Sequence, residues 1–392
     1  MGRSPPPING AHRGDGITLK EIWNLLVRNW LLIAAATGIV AGGTVAYTLW
    51  AVPVPVSPRG LLNVLLGLVL GLMAGVGVAF IRERLDDRVH TGEDLREASG
   101  GVTVMSVVPR IRLERGPNGR SASRPRRTQR IGDHLVAGLD PRSWASEAYR
   151  GLRTNIMFAN PDRPPTTLVF TSALPRDGKS TTATNLAITL AQLGRRALLV
   201  DADMRHGCLH DVFDVPRGPG LSEILAGENY SNEAIRTITP TESSTLFFMP
   251  TGTLPPNPTE LLGSARMKGL LKSLKAQFDA VIIDCPALMA VTDAAILGTY
   301  ADGTLLVARA NVTEKGAITH CMEQLRHVGA PVLGVILNDV DPKRDSRYGE
   351  PYGLYEAYRR KHGGNTTRRA SDMRWGASRR PQPPLHPAAK TS

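Results

Sequence analysis

Residues 172–181 read SALPRDGKST, at the junction of an apolar strand-like run and a helix-like one. Gly178, Lys179 and Ser180 are the types that a phosphate-binding loop requires. The glycine lets the backbone close around an anion, the lysine reaches β- and γ-phosphates, and the hydroxyl holds Mg²⁺. Ala173, Asp177 and Thr181 complete the candidate loop, with Ala173 where such loops usually carry their first glycine. Two acidic motifs sharpen the reading. Residues 198–205 (LLVDADMR) end a strand-like run with Asp201 and Asp203, and residues 281–286 (VIIDCP) end another with Asp284. Ligands of open parallel sheets sit beyond the carboxyl ends of the strands, so the three carboxylates should converge on the phosphates of a Mg²⁺-ATP. A lone strand-end Asp is more often a turn residue. Three of them beside a phosphate loop indicate a nucleotide site.

The elements that must position these groups follow from periodicity. Between 140 and 340, strand-like runs (TTLVFTS, ALLVDAD, LFFMP, AVIIDCP, TLLVARA, PVLGVILN) alternate with helix-like ones. Near-continuous apolar strands in βαβ alternation imply an α/β fold, a P-loop domain whose mostly parallel sheet carries helices on both faces. Ahead of it, 30–50 and 60–81 are each free of charge and long enough to cross a bilayer, and the prolines between them force a turn. The expectation is a two-helix transmembrane hairpin. Basic residues flank its outer ends, which places both termini and the P-loop domain in the cytoplasm. Gly67, Gly71 and Gly75 form either a close-packing face or the ordinary glycine content of membrane helices. The sequence thus divides into a cytoplasmic segment 1–29, the hairpin 30–81, a juxtamembrane segment 82–108, a basic disordered linker 109–139, the domain 140–340 and a flexible basic tail 341–392.

The 392 residues carry 47 Lys and Arg against 35 Asp and Glu, a net charge of +12. The excess is local: 110–130 contributes +7 and 359–392 contributes +8, which leaves the remainder slightly acidic. Aromatic residues make up only 5%, too few for a base-stacking surface, so no nucleic-acid partner is expected. Three cysteines exclude a disulfide framework.

The three site motifs resemble the Walker A, Walker A′ and Walker B motifs of bacterial tyrosine kinases of polysaccharide synthesis. Residues 254–262 (LPPNPTELL), 291–294 (VTDA) and 334–338 (GVILN) fit the same family. Arg176 stands where the family often has Gly, and Cys285 where it often has Thr. The hairpin resembles the membrane spans of Wzz-type chain-length determinants, without the large extracytoplasmic domain that separates them there. Related MinD/ParA ATPases carry a signature lysine early in the loop, which this chain lacks.

The resemblance implies an ATP-dependent protein-tyrosine autokinase that regulates exopolysaccharide or capsule production at the bacterial inner membrane. Its alternative is a membrane-anchored ATPase switch acting without tyrosine phosphorylation. Lys179 should neutralise charge on the transferred phosphoryl group, and Ser180 and Asp203 should hold Mg²⁺, with Asp284 acting through water. Asp201 is the candidate to orient or deprotonate the acceptor, an assignment exchangeable with that of Asp203. Asn338 is either an adenine contact or a strand-end turn residue. Four of the eight tyrosines, Tyr348, Tyr352, Tyr355 and Tyr358, cluster in the tail as candidate phosphoacceptors. Glu147, Arg150 and Arg153, spaced to share one helix face, match the family motif through which subunits form a ring. The implied partners are further copies of the chain, the membrane, polysaccharide polymerase or export proteins and a phosphotyrosine phosphatase.

Overall fold

A computed structural model describes residues 27, 29–50, 60–111, 135, 143–228, 233–241 and 244–342. The chain divides into two compact units, 1–87 and 88–392.

In the first unit, α1 (Trp30–Trp50) and α2 (Gly60–Arg84) pack along each other. Among the described residues of α2, Gly67, Gly71, Gly75 and Ala79 are buried, spaced by four, while Leu65, Leu68, Leu72 and Met73 are exposed. A Cβ at Gly71 would stand 2.9 Å from Thr37 Cα, and one at Gly75 would stand 3.0 Å from Ile33 Cα. The glycine repeat is therefore the face on which the helices meet. By length and composition, Leu65–Arg82 is one candidate span, and Ile33–Tyr47 is a shorter apolar helix.

The second unit is an α/β P-loop domain. It begins with α3 (Gly92–Ala98), where Thr91 and Asp94 form a reciprocal capping box, and β1 (Val104–Pro109). There follow α4 (Trp144–Phe158), β2 (Thr167–Ser172), α5 (Lys179–Ala191), β3 (Ala197–Asp201), α6 (Leu209–Phe213) and α7 (Leu221–Ala226). The hairpin β4 (Arg236–Thr241) and β5 (Ser244–Met249) comes next, then α8 (Pro258–Leu262), α9 (Ala265–Gln277) and β6 (Ala280–Asp284). The last elements are α10 (Asp293–Gly298), β7 (Gly303–Arg309), α11 (Lys315–His327) and β8 (Val332–Val340). The eight strands run β1-β8-β7-β2-β6-β3-β5-β4, and every pairing is parallel except β4 with β5.

Strand alternation sends Leu168 and Phe170 to a core shared with Tyr149, Leu152 and Leu186, and Val169 to the opposite core with Leu271, Ile318 and Leu325. Both faces of the sheet are covered, which is why its strands read as continuous apolar runs.

Three local expectations change. The juxtamembrane segment 82–108 is not separate from the sheet: β1 pairs with β8, and α3 packs against α11. Parallel pairing of a short apolar strand with a distant one leaves no local signal. Leu135, within the expected linker, is buried in the core on the α4 side, as an apolar side chain beyond the arginine-rich stretch can be. The edge strand β4 was not foreseen, because RTITPT carries a proline and polar alternation. The four tail tyrosines lie outside the described residues.

Candidate active site

Strand order explains how the three motifs meet. The loop leaving β2 leads into α5, β6 lies beside β2, and β3 lies beside β6. Phe170 is in register with Asp284, and Asp284 with Asp201. Three neighbouring parallel strands thus end at one level, and each delivers a motif there.

Helix α5 starts at Lys179, with Gly178 as its cap residue at φ 101° and no side chain capping it. The first N–H groups of a helix have no acceptor within it, and its dipole favours an anion there. A Cβ at Gly178 would overlap the Asn338 side chain, so glycine is required for both its conformation and its neighbour. Arg176 also takes a left-handed φ of 74°, the conformation that the family's frequent glycine would adopt freely.

Lys179 is 5% exposed. Its Nζ lies 3.1 Å from Ser180 Oγ, 3.5 Å from Asp203 Oδ2 and 3.4 Å from Asp284 Oδ1. Asp201 accepts from the backbone N–H of Asp203 at 3.2 Å and of Leu209 at 3.1 Å, while Asp203 accepts from His206 N–H at 2.9 Å. Loop amides therefore hold both carboxylates. Burial first, then the charges of Asp284 and Asp203, push the Asp201 carboxyl up to about 7. Burial also raises that of Asp284, against the opposing pull of Lys179.

The Lys179 ammonium faces both Asp203 and Asp284, with Asp201 close enough to feel their charges, and a divalent cation would offset the remaining negative charge. Among the described residues no group of three or more His, Cys, Asp or Glu side chains could hold a metal ion by itself. Mg²⁺ does not require one, since it keeps several waters and binds through one or two carboxylates plus substrate phosphates. Ser180, Asp203 and Asp284 fit such a site, and the open start of α5 fits the phosphates.

The other expected residues fall around this centre. Ala173 is fully buried, and Thr181 lies on the first turn of α5. Asp177 turns inward: its carboxylate accepts from Leu174 N–H at 2.9 Å and from the Thr313 hydroxyl at 3.0 Å. Asn338 Nδ2 donates to the Asp177 carbonyl at 2.9 Å, so it braces the loop from the end of β8. Glu147, Arg150 and Arg153 share α4, away from the site. Glu147 pairs with Arg150, and Arg153 reaches the Thr189 carbonyl at 3.4 Å beside a cavity of about 520 Å³ lined also by Arg195 and Phe278.

Sequence reasoning passed over two groups. Arg205, four residues after Asp201 ends β3, pairs with the fully buried Asp293, and Thr313 reaches Asp177 across 136 residues. Arg205 lies within the second motif and Asp293 within VTDA, so an ion pair between motifs was the available signal.

A model described as an AAA domain matches residues 177–328. Over 303 residues the chain is 38% identical to the putative tyrosine-protein kinase EpsB of Ralstonia nicotianae, covering 77% of this chain and 39% of that protein. It therefore spans about two fifths of the length of that relative. It is 39% identical to the tyrosine-protein kinase YwqD of Bacillus subtilis over 240 residues, 61% of this chain and all of YwqD. The kinase domain of the Escherichia coli tyrosine kinase ETK superposes with a TM-score of 0.55 at 34% identity, covering 64% of this chain and 95% of that structure. On these likenesses and the motifs that carry them, the chain belongs to the family of bacterial tyrosine-protein kinases.

Proposed function

We propose that this chain is an ATP-dependent protein-tyrosine autokinase, anchored in a bacterial inner membrane by α1 and α2, that regulates exopolysaccharide or capsule synthesis and export. The observation that carries the reading is the buried Lys179 among Ser180, Asp203 and Asp284, where β2, β6 and β3 end side by side.

Mg²⁺-ATP, when bound, supplies the phosphoryl group for transfer. The start of α5 receives the phosphates, and Lys179 neutralises charge that builds on the transferred group. Ser180 and Asp203 would hold Mg²⁺ directly, and Asp284 through water. Asp201 receives or orients the proton of the tyrosine hydroxyl; a carboxyl near 7 suits a base at neutral pH. Asn338 would contact the adenine, and its amide also holds the Asp177 carbonyl. The acceptors are Tyr348, Tyr352, Tyr355 and Tyr358 of a neighbouring copy, in a ring assembled through Glu147, Arg150 and Arg153. The hairpin 30–81, the linker 109–139 and the tail 341–392 tether the domain and present its acceptors. Polymerase or export proteins and a phosphotyrosine phosphatase are the further partners of this reading.

The test is phosphotyrosine blotting of the purified full chain incubated with Mg²⁺-ATP. Signal is expected from the wild type and absent from Lys179→Met and from the chain with all four tail tyrosines changed to Phe. A Lys179→Met signal equal to wild type would overturn the site, and full signal without the four tyrosines would overturn the acceptors.

A further inference from the structure

Asp177 immediately precedes the glycine that caps α5, and it is 1% exposed. One of its carboxylate oxygens ties back to Leu174 N–H and closes the turn 174–177; the other has Thr313 as its partner. Thr313 is 0% exposed. Its hydroxyl accepts from Arg309 N–H at 2.8 Å, so its single proton is committed to Asp177. The turn after β7 is closed further by Thr313 N–H to the Arg309 carbonyl at 3.0 Å, with Asn311 at a left-handed φ of 62°.

That turn is bound on its other side to residues that follow the hairpin. Val89 N–H donates to the Thr313 carbonyl at 2.9 Å, and Asn311 N–H donates to the Val89 carbonyl at 2.8 Å. The Val89 side chain is fully buried, His90 Nδ1 lies 2.8 Å from Asn311 Oδ1, and Lys315 meets Asp94 of α3 at 3.0 Å. Residues 88–90 cannot be displaced without either losing both backbone bonds or carrying the turn with them.

We propose that Thr313 is a positioning residue of the phosphate loop, and that through it the backbone of Val89 is coupled to nucleotide binding. The physical content is a two-step hydrogen-bonded link, Val89 to the 311–313 turn and Thr313 to Asp177, whose anchoring residues Val89, Thr313 and Asp177 are buried, so that water does not readily substitute for a lost partner at Thr313 and Asp177. Coupling of this kind is reciprocal: what moves Val89 alters the loop, and what occupies the loop holds Val89. The second half rests on the nucleotide site proposed above; the first does not.

The experiment is hydrogen exchange on the full detergent-solubilised chain, without nucleotide and with Mg²⁺-ADP, for wild type, Thr313→Val and Thr313→Ser. Without nucleotide, Thr313→Val should speed exchange at Leu174 by about tenfold, and Thr313→Ser should restore the wild-type rate. Unchanged Leu174 exchange in Thr313→Val would overturn the positioning role. With Mg²⁺-ADP, wild type should gain protection at Val89 and Asn311 as well as in the loop. Thr313→Val should keep loop protection but lose it at Val89. Loop protection without any change at Val89 in wild type would overturn the coupling. A chain whose loop gains no protection at all fails the nucleotide reading instead, and the exchange without nucleotide still decides the role of Thr313.

Discussion

Arg205 holds the buried carboxylate of Asp293 through Nε at 3.0 Å, and through a second nitrogen at 3.4 Å that also reaches the Thr259 hydroxyl at 2.9 Å. Thr259 in turn donates to Asp293 at 2.7 Å. Arg205 follows the acidic loop after β3, Thr259 lies in α8 and Asp293 begins α10, so one guanidinium joins three segments that border the site.

Replacing Arg205 by Ala should therefore destabilise the chain by about 1–3 kcal/mol, because it strands a carboxylate that is fully buried. Arg205→Lys should recover only part of the loss, since an ammonium cannot make the forked contact. Arg205→Ala combined with Asp293→Asn should cost less than the two single changes added. Thermal unfolding of the wild type and these four variants measures this, and strict additivity in the double variant would show that the pair is not coupled.

Arg176 supplies a prediction of opposite sign. A left-handed φ costs a residue with a Cβ roughly 1–2 kcal/mol, and the flexibility that glycine adds to the unfolded chain offsets part of that gain. Arg176→Gly should raise the melting temperature slightly, whereas Arg176→Ala should not. Equal shifts in both variants would trace the effect to the lost charge rather than to the backbone.

How far the site could be read beforehand depends on the distance over which its contacts act. That Lys179, Asp201, Asp203 and Asp284 lie close together was legible because each lies at or just beyond the end of an apolar strand or starts a helix, and sheet topology does the rest. The glycine spacing in α2 left a close-packing face and ordinary composition both open, and only the contacts with Thr37 and Ile33 decide for the face. The roles of Asp177 and Asn338 were only half visible. Asp177 read as a loop residue and Asn338 as either an adenine contact or a strand-end turn residue, but their partners lie 136 and 161 residues away, and no periodicity encodes such a pairing. β1 joined the sheet for the same reason, through a strand near the far end of the domain.

Gly71 and Gly77 lie on the same helix and separate packing from composition. Gly71 faces the Thr37 backbone, while nothing lies within 4 Å of a Cβ at Gly77. Gly71→Ile should therefore force α1 and α2 apart, at about 1–3 kcal/mol for overpacking, and Gly77→Ile should be tolerated. Heat-induced aggregation of the detergent-solubilised chain is the readout. Similar behaviour of the two variants would remove the close-packed face as a determinant of the hairpin.

Asp177 carries a pH dependence whose sign follows from its burial. Burial outweighs its bonds to Leu174 and Thr313 and the charge of Arg309, and pushes the carboxyl up to about 6 from the ordinary 3.8. Between those values the folded chain binds a proton that the unfolded chain does not. Stability from this group is therefore highest below about pH 4, falls as pH rises, and reaches its low plateau above about 6. The full span is at most about 3 kcal/mol, from roughly two pKa units. Asp177→Asn abolishes the titration, although it loses an acceptor at every pH. The melting temperature of Asp177→Asn relative to wild type should therefore improve by several degrees between pH 4.5 and pH 7.5. Asp201 titrates in both proteins and cancels in the difference. Parallel melting curves for the two proteins across that range would mean that Asp177 is ionised throughout, and that the loop holds a charged carboxylate rather than a neutral one.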